Sequence, residues 1–198
     1  MKKIIIALAI ILPIHVSAKE NSHGEHKDVS DKVISKQRAN LEANTKNKGF
    51  GPQSPRDIDA ITGSNSRLFG IAPQSSQMNL CNIHFHKNAE HKGGQFTKYA
   101  GNGDGHGYQS GYKYSGKLNA SELKSAGHEI CPSTHGALSV GDTIEVHYVH
   151  STAQINPGPT LGSCLSDAIK NPQLRVETQV YVLVNDNNAL NFANLTKH

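Results

Sequence analysis

Histidine recurs at a spacing of two in His84-Phe85-His86, and Glu145-Val146-His147-Tyr148-Val149-His150 answers it further along the chain. A strand points alternate side chains to one face, so His84 and His86 on a strand aim both imidazoles at one point while Phe85 turns to the opposite side. If the second segment is the neighbouring strand, His147 on the same face completes a three-histidine set. Three histidines are the usual protein share of a catalytic Zn²⁺ site, whose fourth position stays open for water. Asn82 and Glu145 each precede a histidine by two residues and share its face. An amide and a carboxylate placed there can accept the second ring N–H of His84 and His147, fixing the tautomer and raising ligand basicity. A lone H-x-H reads as two solvated histidines; a second cluster in strand context points instead to metal.

These residues need elements to position them, and the strand signals fall in the right places. Residues 78–86 and 143–150 alternate apolar and polar side chains, and 175–184 is a long run rich in Val176, Val180, Val182 and Val184. Helix is expected only in pieces such as 120–125 and 189–195. The Gly- and Tyr-rich stretch 99–108 reads as an ordered surface loop rather than an element. The pattern predicts a mainly β fold with few short helices, the two histidine strands adjacent in the middle of a twisted sheet.

Met1-Lys2-Lys3, an apolar run to Val16 and the small residues Ser17-Ala18 read as a signal peptide over 1–18, too short and wrongly flanked for a membrane span. A polar arm follows over 19–48, with a weak helical period at Val29, Val33, Ile34 and Leu41, and it is expected to be loosely held. The single globular domain is assigned to 49–198. The formal net charge is +4 and falls to +2 once Lys2 and Lys3 are lost, with the basic residues scattered, which argues against nucleic acid as a partner. An exported chain with three cysteines predicts one disulfide and one free thiol. Any of Cys81, Cys131 and Cys164 can pair, and Cys81 with Cys131 is the pairing favoured here. Alternation turns Cys81 away from the histidine face, so it is not counted as a ligand. Periplasmic or secreted localisation follows from the signal.

The motifs also carry a resemblance. His84-x-His86-x-x-x-Glu90-His91 and Glu145-x-His147-x-x-His150 resemble, spacing for spacing, the zinc-binding strands of bacterial α-class carbonic anhydrases. Gln53-Ser54-Pro55-Arg56-Asp57-Ile58 resembles the Gln-Ser-Pro segment that precedes them there. Over nearly the whole exported region the wording is more similar to the δ class, known from marine diatoms and bacteria. The residues that carry this are Asn79-Leu80-Cys81-Asn82-Ile83-His84-Phe85-His86, Gly103-Asp104-Gly105-His106-Gly107-Tyr108 and Arg175-Val176-Glu177-Thr178-Gln179-Val180. The chain is identified on these motifs as a member of the δ class.

That resemblance implies a central sheet like that of the α-class fold, zinc on His84, His86 and His147, Glu90 and Glu145 as supporting carboxylates, and His91 and His150 in structural roles. It implies reversible hydration of CO₂ to bicarbonate and a proton by zinc-bound hydroxide, with Val149 and Leu161 as apolar wall, and a possible homodimer. Two departures stand out. The late threonine followed by two prolines, which in the α class bonds the hydroxide, is missing, and Thr160 is taken as its substitute. No histidine lies where the α-class proton shuttle precedes the H-x-H strand, so His106, His128 and His135 are the candidates. Two rival readings remain: a cupin-like metal enzyme with Glu90 as a ligand, and a non-enzymatic secreted zinc-binding protein. Storage favours many loosely clustered ligands, whereas these are built into strands.

Overall fold

The computed structural model describes residues 28–47 and 72–197. The signal segment 1–18, His23 and His26 of the arm, and the Gln53-Ser54-Pro55 segment lie outside the described residues. The elements are α1 (Asp31–Thr45), β1 (Asn79–Lys87), β2 (Lys98–Gly101), β3 (Gly111–Lys113), β4 (Thr143–Ser151), β5 (Leu174–Val182) and α2 (Phe192–Leu195), with short 3₁₀ turns at Ser75–Gln77 and Leu161–Cys164. The protein is mainly β, as the alternation predicts.

β1, β4 and β5 form an antiparallel sheet in that order, so β4 sits between the other two. Every residue of β4 is buried, as a strand with a neighbour on each side requires. The expectation that both histidine strands lie mid-sheet holds for β4 alone, because among the described residues β1 pairs only with β4. One face of the sheet carries the main core. Ile144, Val146 and Tyr148 of β4 pack with Leu138, and Leu80, Ile130, Tyr181 and Leu183 close around them. The Tyr148 hydroxyl, on a side chain buried to 1 % exposure, donates to the Thr196 carbonyl at 2.7 Å and ties the chain end containing α2 to the core.

The opposite face holds a smaller cluster of Cys81, Val149 and Cys164, with Ile155 packed on it. Here the cysteine pairing is corrected: Cys81 is joined to Cys164, and Cys131 is the free, exposed thiol. A break in the ladder explains why alternation misplaced Cys81. Leu80 opposes His150 and Asn82 opposes Val149, so Cys81 is the extra residue of a β-bulge and the period of two stops there.

Two further expectations change. The start of the Gly- and Tyr-rich stretch pairs, as β2, with β3 just beyond its end, bringing Tyr99 against Tyr112, so only the rest of it is the loop of a hairpin. Gly111, at φ +110°, lets β3 also lie against the chain that follows β1: a Cβ there would sit 2.2 Å from the Ala89 carbonyl, where Ala89 bridges to Tyr112. The weak helical period of the arm becomes α1, held to the hairpin tip by hydrogen bonds. Val29 N–H donates to Gly103 O at 3.0 Å, Asn102 Nδ2 reaches Val29 O and Asp31 Oδ1 at 2.8 Å each, and Gln37 Nε2 reaches Gly105 O at 3.0 Å. Val33 and Leu41 stay exposed, so polar contacts rather than an apolar stripe hold the helix in place.

Candidate metal centre

Strand register builds the site. His84 on β1 directly opposes His147 on β4, and His86 opposes Glu145, so all four side chains share one face. The three imidazoles meet edge to face, with ring centroids 5.0 Å apart for His84 with His86, 5.0 Å for His84 with His147 and 4.9 Å for His86 with His147. Each offers a nitrogen, and these atoms lie within 4.8 Å of one another, a grouping that could hold a metal ion. His84 and His86 are half-buried and His147 is buried.

The outward nitrogens are tied down. His84 Nδ1 lies 2.6 Å from Asn82 Oδ1, and His147 Nε2 lies 2.9 Å from Glu145 Oε1. Each bond leaves the other ring nitrogen, Nε2 of His84 and Nδ1 of His147, as the one available to a ligand. Glu145 is itself held, since its Oε2 accepts from the Glu90 backbone N–H. The Glu90 carboxylate stands 3.4 Å from His86 Nε2. It groups with His91 and Glu145 in a second potential cation cluster that adjoins the three histidines through Glu90 beside His86 and Glu145 beside His147.

The electrostatics separate the histidines. Burial, with repulsion from His147 and His86, pushes His84 below the ordinary imidazole range, against an opposing pull from Glu90. His147 is raised instead, because its hydrogen bond to Glu145 outweighs the cost of burial, with the charges of Glu145 and Glu90 adding to it. Burial pushes the Glu145 carboxyl up. The hydrogen bonds from His147 and the Glu90 N–H, with the charges of His147 and His91, outweigh that and hold it below the usual carboxylate range.

The other residues named from sequence are scattered around this centre. Val149 is buried on the histidine face opposite Asn82, while Leu161 is 57 % exposed. Thr160 is exposed, and its carbonyl accepts from Ser163 N–H at 2.9 Å within its own turn. A groove of about 2000 Å³ has His86 among its lining residues, together with Phe85, Lys87 and residues of 123–140, including His128 and His135. Tyr108 stacks on His135 with centroids 3.6 Å apart. His106 sits instead on the hairpin tip, its N–H donating to Asp104.

Sequence reasoning missed Thr178. It directly opposes His147 from β5, so His84, His147 and Thr178 form one row across the sheet. Its parity on β5 was legible, but its row depends on a pairing between residues 31 apart in sequence and required the register.

Residues 75–198 match the family model described as Delta carbonic anhydrase. No curated protein and no solved structure matches the chain.

Proposed function

The chain belongs to the δ-class carbonic anhydrases, and from that membership we propose that it is a zinc enzyme catalysing the reversible hydration of CO₂, with His84, His86 and His147 as the metal ligands. The observation that carries this is the convergence of three imidazoles on one sheet face, two with their outward nitrogens already engaged. The donor set fits Zn²⁺: three nitrogens and no thiolate, the protein share of a tetrahedral site whose fourth position goes to water. A zinc ion held there supplies Lewis acidity that brings the pKa of water to near neutrality, making it a nucleophile toward CO₂, an effect for which carbonic anhydrase is itself the reference case.

The protein's own groups do the rest. Asn82 and Glu145 hold His84 and His147 in the tautomers that present a lone pair inward. Glu145 keeps its charge because the Glu90 N–H and His147 both donate to it, so Glu90 supports the centre through its backbone as well as through its carboxylate beside His86. Val149 provides apolar wall next to the histidines for uncharged CO₂. His128 and His135, which share a groove with His86, are better placed than His106 to pass the released proton to buffer. Two hydroxyls are proposed to orient the attacking water: Thr160 from the loop, and Thr178 from the row that contains His147. Replacing each by Ala in turn and measuring CO₂ hydration identifies which one acts, since only that variant loses rate.

Export to an oxidising compartment is part of the same proposal, supported by the buried Cys81–Cys164 disulfide. The cupin-like alternative needs Glu90 among the ligands; its carboxylate stands 3.4 Å from His86 Nε2 and also groups with His91 and Glu145, and family membership favours the zinc reading. Stopped-flow CO₂ hydration by the purified protein tests the function. Activity that a zinc chelator abolishes and added zinc restores is expected; activity indifferent to both would refute it.

A further inference from the structure

Asn82 makes two hydrogen bonds whose directions depend on each other. Its Nδ2 donates to the Gly158 carbonyl at 2.9 Å, which obliges Oδ1 to face the other way, toward His84 Nδ1 at 2.6 Å. An oxygen there requires Nδ1 to carry the ring proton and leaves Nε2 with its lone pair. Turn the amide over and its NH₂ faces Nδ1 instead. That stabilises the tautomer protonated at Nε2, the nitrogen that must be free to bind metal. The Gly158 carbonyl therefore decides which way the amide lies.

Gly158 is in turn held from two sides. Its N–H donates to the Cys81 carbonyl at 3.0 Å, on the strand residue adjacent to Asn82. The turn that follows it ends at Cys164, which is bonded to Cys81. The packing between is close enough that a Cβ on Gly158 would lie 2.0 Å from Ser163 Oγ. Ser151 Oγ adds a bond to the Cys164 carbonyl at 2.7 Å, fastening the same turn to β4. Both cysteines are buried, Cys81 at 0 % and Cys164 at 1 % exposure, so the link acts as a fixed strut rather than a redox switch.

We propose that the Cys81–Cys164 strut is a positioning element of the metal centre, selecting the metal-binding tautomer of His84 through the Gly158 carbonyl and the Asn82 amide. The proposal rests on the reading of His84 as a zinc ligand. It assigns the loop 152–164 a role beyond cross-linking the fold, and it makes Asn82 the relay rather than an independent anchor.

The test is Zn²⁺ affinity, measured by competition with a chromophoric chelator, together with the ¹⁵N shifts of His84 in the metal-free protein, which report its tautomer. Three variants are compared with wild type: Cys81→Ser/Cys164→Ser, Gly158→Ala, which leaves the disulfide in place, and Asn82→Ala. Each should lose affinity by about 10–100-fold, the scale of outer-shell partners. The first two should also shift His84 toward the tautomer protonated at Nε2. Combining Asn82→Ala with the cysteine pair should cost no more than Asn82→Ala alone, because the strut acts through Asn82. Asn82→Asp supplies the readout that a merely structural role would not move. With an acceptor oxygen on either side, it should make affinity insensitive to Gly158→Ala. Wild-type affinity and tautomer in folded Gly158→Ala, or fully additive losses, would overturn the proposal alone. Wild-type protein that binds no zinc, or binds it equally well as His84→Ala, would overturn the ligand reading beneath it.

Discussion

Glu145 and His147 show how much one residue pair settles. The carboxylate is kept ionised by two donors, and its bond to Nε2 raises the imidazole while turning Nδ1 inward. Glu145→Gln is therefore expected to weaken zinc affinity about 10–100-fold while the sheet stays intact, checked by chelator competition and circular dichroism. The pair has a pH signature in the metal-free protein as well. His147 has its folded pKa raised, so its contribution to stability is fully present below the ordinary imidazole value and disappears as pH rises through the folded one. The lowered His84 contributes with the opposite sign over the same range, so the signature is the difference: as pH rises across neutrality in denaturant titrations, wild type should lose stability relative to Glu145→Gln. An identical slope in the two proteins would exclude the pair as its source. Both partners could be read from sequence because the rule that places them, two residues apart on a strand face, is local.

At the scale of elements, β4 does two jobs on its two faces. His147, Glu145 and Val149 face the site, while Ile144, Val146 and Tyr148 face the core. Ile144→Ala should cost about 2–5 kcal/mol in urea denaturation, the range for emptying a buried aliphatic position, while leaving the zinc affinity of the folded protein unchanged. A loss of metal affinity matching the loss of stability would mean that the two faces are not independent. β1, β4 and β5 were legible to within a residue or two, because alternation and β-branched runs are local signals. The disulfide was not, since the bulge at Cys81 breaks the alternation from which its direction was inferred. The β2–β3 hairpin was also missed. Its glycines and tyrosines look like loop, and β3 is also docked by the Ala89–Tyr112 bridge for which Gly111 leaves room, a contact between segments that no single segment announces.

Over the whole molecule, the site is mounted on a sheet whose core owes nothing to metal: Leu138, Ile144, Val146 and Tyr148 pack on the far side. Removing zinc is thus expected to leave the far-ultraviolet spectrum unchanged, unlike a small zinc-dependent domain. α1 is a separate attachment fixed through Asn102, so Asn102→Ala should speed amide exchange over residues 31–45 without altering zinc binding. The most direct measurement of the central claim joins these scales in one sample of His84→Ala, with circular dichroism and CO₂ hydration recorded on the same protein. A folded spectrum with hydration abolished is predicted; a folded protein that still hydrates CO₂, or one whose structure is lost along with its activity, would contradict a catalytic metal held by these histidines on a preformed sheet.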